Sequence, residues 1–175
     1  MSILLAHSLI RDVPDFPKEG IIYKDITPIL ANAAAFQEII DHIVESADTR
    51  LPDIVAAVES RGFIFGVPVA LCLGLGFVPI RKKGKLPYST LSESYALEYG
   101  IDSVEMHTDA IKPGQRVLLI DDVLATGGTA SASARLIEKA GGIVTAIVFV
   151  IELEFLGGRK NLLGYSVDSL VKVPS

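Results

Sequence analysis

Four short apolar runs set the rhythm of the chain: Asp53 to Val58, Phe77 to Ile80, Val117 to Ile120 and Ile143 to Val150. Each is continuous rather than alternating and most of them are rich in β-branched residues, the pattern of strands covered on both faces. Helix-like stretches separate them. Phe63 to Leu73 lies between the first and second runs, and Thr129 to Ala140, stopped by Gly141-Gly142, lies between the third and fourth. A further helix-like stretch, Ala33 to Ser46, precedes the first run. This order predicts an α/β fold with a mostly parallel central sheet flanked by helices on both faces, and ligands bound beyond the carboxyl ends of the strands. Lys82 to Ser92 breaks the rhythm: it is polar, contains Gly84 and Pro87 and has no helical period, so it reads as a mobile loop.

Composition narrows the picture. A length of 175 residues, without repeats, low-complexity segments or a Gly/Ser linker, suits a single domain, 1–175. A formal charge of −5 argues against broad nucleic-acid or anionic-membrane binding, so any anion site must be local. Cys72 is the one cysteine and sits in the apolar run Val67 to Leu73, where a buried core thiol is expected. Met1 to Ile10 lacks the features of a secretion signal, and no apolar run reaches membrane-spanning length, so a cytoplasmic location is expected. His7, His42 and His107 lie far apart without ligand spacing, which disfavours a zinc site.

The chemistry concentrates in Val117-Leu118-Leu119-Ile120-Asp121-Asp122-Val123-Leu124-Ala125-Thr126-Gly127-Gly128-Thr129, a strand running into two acids, a small-residue turn and a helix. Backbone N–H groups of a tight turn at a helix amino end carry partial positive charge and can cradle a phosphate, and the glycines permit close approach. Thr126 and Thr129 add hydroxyl donors. Two adjacent carboxylates repel unless a ribose diol or a bound Mg²⁺ satisfies them. The Walker and Gly-x-Gly-x-x-Gly patterns are absent, which weakens P-loop and dinucleotide readings.

This segment resembles the phosphoribosyl pyrophosphate signature of type I phosphoribosyltransferases. The resemblance implies that Asp121 and Asp122 face the ribose hydroxyls and reach Mg²⁺ indirectly, through substrate or water, while Ala125, Thr126, Gly127, Gly128 and Thr129 hold the 5-phosphate. The signature alone leaves adenine, guanine, xanthine, orotate and uracil enzymes open, along with regulators and nucleotide-binding modules of the same fold. Four further segments, Phe16 to Pro28, Glu59 to Gly66, Ile80 to Pro87 and Tyr95 to Gly100, are similar in order and spacing to the adenine phosphoribosyltransferase family. Xanthine enzymes are the nearest rival.

That family resemblance implies transfer of the 5-phosphoribosyl group from phosphoribosyl pyrophosphate to adenine, giving AMP and pyrophosphate in purine salvage, with Mg²⁺ as cofactor and a homodimer as the assembly. It implies a small hood from the N-terminal segment 1–32 and a flexible loop, 82–94. Tyr23 takes the place of the aromatic that stacks on adenine, with Ile22 and Lys24 beside it. Ser60, Arg61 and Gly62 take the pyrophosphate turn, often entered through a cis peptide, here Glu59-Ser60. Arg81, Lys82 and Lys85 add cations for the leaving group, and Glu98 matches the acid/base carboxylate, with Arg61 the second catalytic candidate.

Overall fold

The continuous apolar runs do become the centre of a sheet, as the computed structural model of residues 5–96 and 100–174 makes plain. In chain order the elements are α1 (Leu5–Ser8), β1 (Arg11–Pro14), β2 (Ile22–Asp25), α2 (Thr27–Leu30), α3 (Ala33–Asp48), β3 (Ile54–Val58), α4 (Arg61–Leu73), β4 (Gly76–Lys82), β5 (Thr90–Ala96), β6 (Ile101–His107), β7 (Arg116–Leu124), α5 (Gly128–Lys139), β8 (Ile143–Leu153) and β9 (Val167–Val173). Two short 3-10 turns, Glu154–Leu156 and Gly158–Leu162, lead into β9. The chain divides into two compact units, one ending at His42 and one starting at Ile43, and the segment 1–32 expected to form a hood falls within the range of the first. Among the described residues no helix is long and apolar enough to cross a membrane.

In the first unit β1 and β2 form an antiparallel hairpin with Arg11 opposite Asp25 and Asp12 opposite Lys24. Opposite charges across the pair suit such positions, and Lys24 Nζ reaches Asp12 Oδ1 at 2.8 Å. Asp25 accepts from the Thr27 backbone N–H and from Arg11, which together hold its carboxyl down at about 2. Phe16, whose bond to Pro17 is cis, stands edge-on to Tyr23 with ring centroids 5.2 Å apart.

The second unit holds a seven-stranded sheet in the order β5-β6-β4-β3-β7-β8-β9. Strands β4, β3, β7, β8 and β9 are parallel; β5 and β6 are antiparallel additions at one edge. From β3 the chain crosses through α4 to β4 on one side, and from β7 through α5 to β8 on the other. Right-handed crossovers in opposite directions place the two helices on opposite faces. The packing agrees: Ala56, Val58, Val117, Leu119, Ile147 and Phe149 form one core with Ala130, Ala134, Leu136 and Ile137 of α5, while Gly66 of α4 rests directly on Ala57.

Three local expectations change. Cys72 is exposed, not buried. The run around it is apolar all round the helix, but only one face of α4 meets the sheet, through Phe65, Gly66, Val69 and Ala70; Val67 and Leu71 point outward with Cys72, 40% and 75% exposed. The loop expected over 82–94 is shorter, because Lys82 ends β4 and residues from Thr90 onward pair in register with β6, from Thr90 opposite His107 to Ala96 opposite Ile101. An edge strand with a solvated face needs few apolar residues, so Thr90-Leu91-Ser92-Glu93-Ser94 carried no strand signal. The other edge strand, β9, went unexpected for the same reason, and β6, paired between β5 and β4, was missed because Asp102, Ser103 and Glu105 interrupt its apolar residues.

Helix α4 can lie this close only because residue 66 has no side chain. A Cβ there would sit 2.6 Å from Ala57 Cβ and 3.0 Å from the Phe77 ring. Gly66→Ala is expected to destabilise the fold by about 1–3 kcal/mol through overpacking, read as a lower denaturant midpoint at unchanged slope.

Candidate active site

Because the two crossovers diverge, the carboxyl ends of β3 and β7 flank the point where strand order reverses, the usual place for a ligand in an open α/β sheet. Strand β3 runs into Glu59-Ser60-Arg61 through a cis Glu59–Ser60 peptide, as the family resemblance implied. Strand β7 carries Asp121 and Asp122 and continues through Ala125-Thr126-Gly127 into α5. Gly62 lets the start of α4 press against β7, since a Cβ there would lie 3.0 Å from both Asp121 Oδ1 and the Ile120 carbonyl oxygen. A cleft of about 360 Å³ opens between them, walled by Ser60, Arg61, Lys82, Asp121, Asp122 and Thr129 among others. A smaller recess of about 70 Å³ follows the turn from Ala125 to Ala130.

The acid pair is the electrostatic centre. Burial pushes the Asp121 carboxyl well above the usual range, and the neighbouring Asp122 charge pushes it further. Burial also raises Asp122, against the pull of Arg61, whose Nε lies 2.6 Å from Asp122 Oδ2. Two desolvated carboxyls side by side call for a diol or a cation. No cluster of three or more His, Cys, Asp or Glu among the described residues could cage a metal. Two carboxylates alone fit Mg²⁺, which keeps water and substrate oxygens in most of its coordination sphere.

Beyond the acids, Gly127 adopts φ +80° as the N-cap of α5 and no side chain caps the helix. The first-turn N–H groups are therefore left without intrahelical partners, and the recess lies along that turn. The helix starts one residue earlier than the run Thr129 to Ala140 suggested, which puts Thr129 in its first turn.

Arg81, Lys85 and Lys82 are held by Glu59 and Asp102, whose role as charge partners was not expected from the sequence. Arg81 Nε lies 2.8 Å from Glu59 Oε2 and Lys85 Nζ 2.5 Å from Glu59 Oε1. Burial raises the Glu59 carboxyl, but hydrogen bonds from Lys85 and Arg81 outweigh it and hold the group below its ordinary value. Lys82 Nζ lies 3.0 Å from Asp102 Oδ2, the Tyr95 hydroxyl donates to the same oxygen at 3.1 Å, and the hydrogen bond to Asp102 raises the Lys82 ammonium. Arg61 and Lys82 thus line the cleft directly, whereas Arg81 and Lys85 stand behind Glu59. A lone charge at the end of an apolar strand was the available signal for Glu59; Tyr95 and Asp102 had none, lying in strands without an apolar run. Ile22, Tyr23 and Lys24 belong to β2 of the first unit, with the Lys24 ammonium engaged by Asp12. Glu98 lies outside the described residues.

Comparison with known proteins adds an independent line. Residues 23–162 match the model of the phosphoribosyl transferase domain family. The adenine phosphoribosyltransferase of Maridesulfovibrio salexigens is 58% identical over 165 residues, covering 94% of this chain and 96% of that protein. Among solved structures, the adenine phosphoribosyltransferase of Thermoanaerobacter pseudethanolicus superposes with a TM-score of 0.95 at 54% identity, covering 98% of this chain and 100% of that one. The Saccharomyces cerevisiae adenine phosphoribosyltransferase, solved with adenine and an imino-altritol bisphosphate, gives a TM-score of 0.89 at 41% identity, covering 94% of this chain and 96% of that one.

The raised acids imply a pH dependence of known sign. A carboxyl whose value is raised on folding favours the folded state while protonated, and that contribution is lost as the pH climbs from about 4 through the folded value. Asp121→Asn removes the burden of a buried charge. It is expected to raise the denaturant midpoint at neutral pH, by an increment that shrinks toward acid; an increment equal at all pH values would contradict the burial argument.

Proposed function

This chain belongs to the adenine phosphoribosyltransferases within the phosphoribosyl transferase domain family, and on that premise we infer that the cleft at the ends of β3 and β7 is where it transfers the 5-phosphoribosyl group of phosphoribosyl pyrophosphate to adenine, giving AMP and pyrophosphate. One observation carries the reading: Asp121 and Asp122 stand between an arginine on one side and an uncapped helix amino end on the other. A sugar with a diol in the middle, a phosphate at one end and a diphosphate at the other has the complementary charge pattern.

In this reading Asp121 and Asp122 accept hydrogen bonds from the ribose hydroxyls, and the backbone of Ala125, Thr126, Gly127, Gly128 and Thr129, with the two threonine hydroxyls, holds the 5-phosphate. Ser60, Arg61, Gly62 and Lys82 take the diphosphate, and Arg81 and Lys85 add positive charge from behind Glu59. Arg61 leaves Asp122 for the diphosphate as the diol replaces it. The bond from ribose carbon 1 to the diphosphate oxygen breaks with its electron pair on pyrophosphate, a purine nitrogen forms the new bond, and Glu98 removes the proton that adenine loses. Preorganised cations favour the charge that develops on the leaving group. Asp121 and Asp122 would hold Mg²⁺ by way of substrate or water, and when bound it would supply Lewis-acid neutralisation of the leaving oxygens. Tyr23 stacks on the adenine ring, a contact worth about 1–3 kcal/mol, with Ile22 and Lys24 beside it.

A homodimer completes the reading. The outward apolar face of α4, with Val67 and Leu71, belongs to the same helix whose first residue is Arg61, so a second copy seated there would bury apolar surface and steady the arginine. A cytoplasmic salvage role suits a single exposed thiol, which a reducing compartment keeps free.

The test is product formation from phosphoribosyl pyrophosphate and Mg²⁺ with adenine, hypoxanthine, guanine, xanthine and uracil in parallel. AMP from adenine alone is expected, with activity abolished by chelator. Asp122→Ala should lower kcat/KM by at least about a hundredfold, and Glu98→Ala should lower kcat by about a hundredfold with little change in KM for phosphoribosyl pyrophosphate. Turnover of another base would overturn the base assignment. Leu71→Asp is expected to shift the sedimentation coefficient from dimer to monomer; an unchanged value would remove α4 from the interface.

A further inference from the structure

The chain after Glu154 contributed no motif to the sequence reading, yet it forms the back of the phosphate turn. Its anchor is an ion pair: Arg159 meets buried Glu152 through Nε–Oε1 at 2.7 Å and Nη2–Oε2 at 2.8 Å, and its Nη1 donates to the Val167 carbonyl at 2.9 Å. Bidentate pairing of this kind fixes geometry as well as charge, here pinning Gly158–Leu162 against β8 and β9.

From that anchor two contacts reach the turn. Gly158 abuts it backbone to backbone: a Cβ on Gly158 would lie 2.2 Å from the Ala125 carbonyl oxygen, and one on Gly127 would lie 2.4 Å from the Gly158 carbonyl oxygen. Asn161 Nδ2 donates to the Thr126 carbonyl oxygen at 2.8 Å. In a planar trans peptide the C=O and the following N–H point in opposite directions. Holding the Thr126 carbonyl toward Asn161 therefore aims the Gly127 N–H the other way. The Ala125 carbonyl against Gly158 does the same for the Thr126 N–H.

We propose that Asn161 is a positioning residue for the phosphate end of the substrate, acting through the Thr126 carbonyl to orient the Gly127 N–H, with the glycine contact at 158 and the Arg159–Glu152 pair as its support. The proposal rests on the assignment of this turn to the 5-phosphate. An unheld turn must be ordered at the moment of binding, and that cost falls on the phosphate end alone.

Calorimetry with ribose 5-phosphate and, separately, inorganic pyrophosphate tests both levels, alongside steady-state kinetics. For Asn161→Ala the expected result is a three- to tenfold weaker affinity for ribose 5-phosphate and a similar rise in KM for phosphoribosyl pyrophosphate, about one hydrogen bond's net worth. The kcat, the KM for adenine and the pyrophosphate affinity should stay within about twofold of wild type, and Asn161→Gln should recover most of the loss. The side chain is exposed, so the fold should tolerate the change; Asn161→Asp, which keeps the shape and removes the donor, should show at least the same loss and serves if the alanine variant does not fold. Unchanged ribose 5-phosphate affinity, or an equal fall in pyrophosphate affinity, would overturn the proposal. Wild-type protein that binds pyrophosphate but not ribose 5-phosphate would instead overturn the phosphate assignment of the turn, and the role of Asn161 with it.

Discussion

A parallel strand followed by a right-handed crossover can return to the sheet on one side only for a given face. In this chain the crossover from β3 and the crossover from β7 go opposite ways, and everything at the site follows from that divergence. The two neighbouring strand ends are left uncovered between helices that depart on opposite faces. Whatever the chain writes immediately after Val58 and along the end of β7 must meet there, which brings Arg61 and Asp122 within 2.6 Å although 61 positions separate them.

The second constraint is charge in a partly desolvated cleft. The acids at its floor are costly to ionise, and the partly exposed cations around it lie close enough to pair with them. The pairs are internal: Arg61 with Asp122, Lys82 with Asp102, Arg81 and Lys85 with Glu59. Such pairing keeps long, flexible cations in place near the site. In the proposed reaction a polyanionic substrate would exchange partners with these acids rather than simply gain contacts, so its net affinity would be the difference between two sets of charge-assisted bonds.

Much of both fold and site was legible along the chain because it depends on neighbours in sequence. A strand covered on both faces must be continuously apolar, and the four runs led directly to β3, β4, β7 and β8. The order of acids, small residues and glycines after Ile120 is likewise local chemistry: a turn that presents N–H groups needs residues able to adopt it, and Gly127 indeed takes a positive φ. Edge strands escaped notice, since a solvated face releases β5 and β9 from any apolar requirement.

What the sequence by itself determined, then, was the alternation of strand and helix, the buried faces, and the presence of a small-residue, glycine-bearing turn beside two acids. Tertiary structure decided which way each ambiguous group faces and what stands behind it. Cys72 lies outward because α4 has one packed face, a fact that a helix apolar all round does not reveal. Asn161 holds Thr126 from 35 positions away, and Glu59 holds Lys85 from 26. Contacts at that separation leave no periodicity and no spacing in the chain; they exist only once the sheet order has placed the strands that carry them.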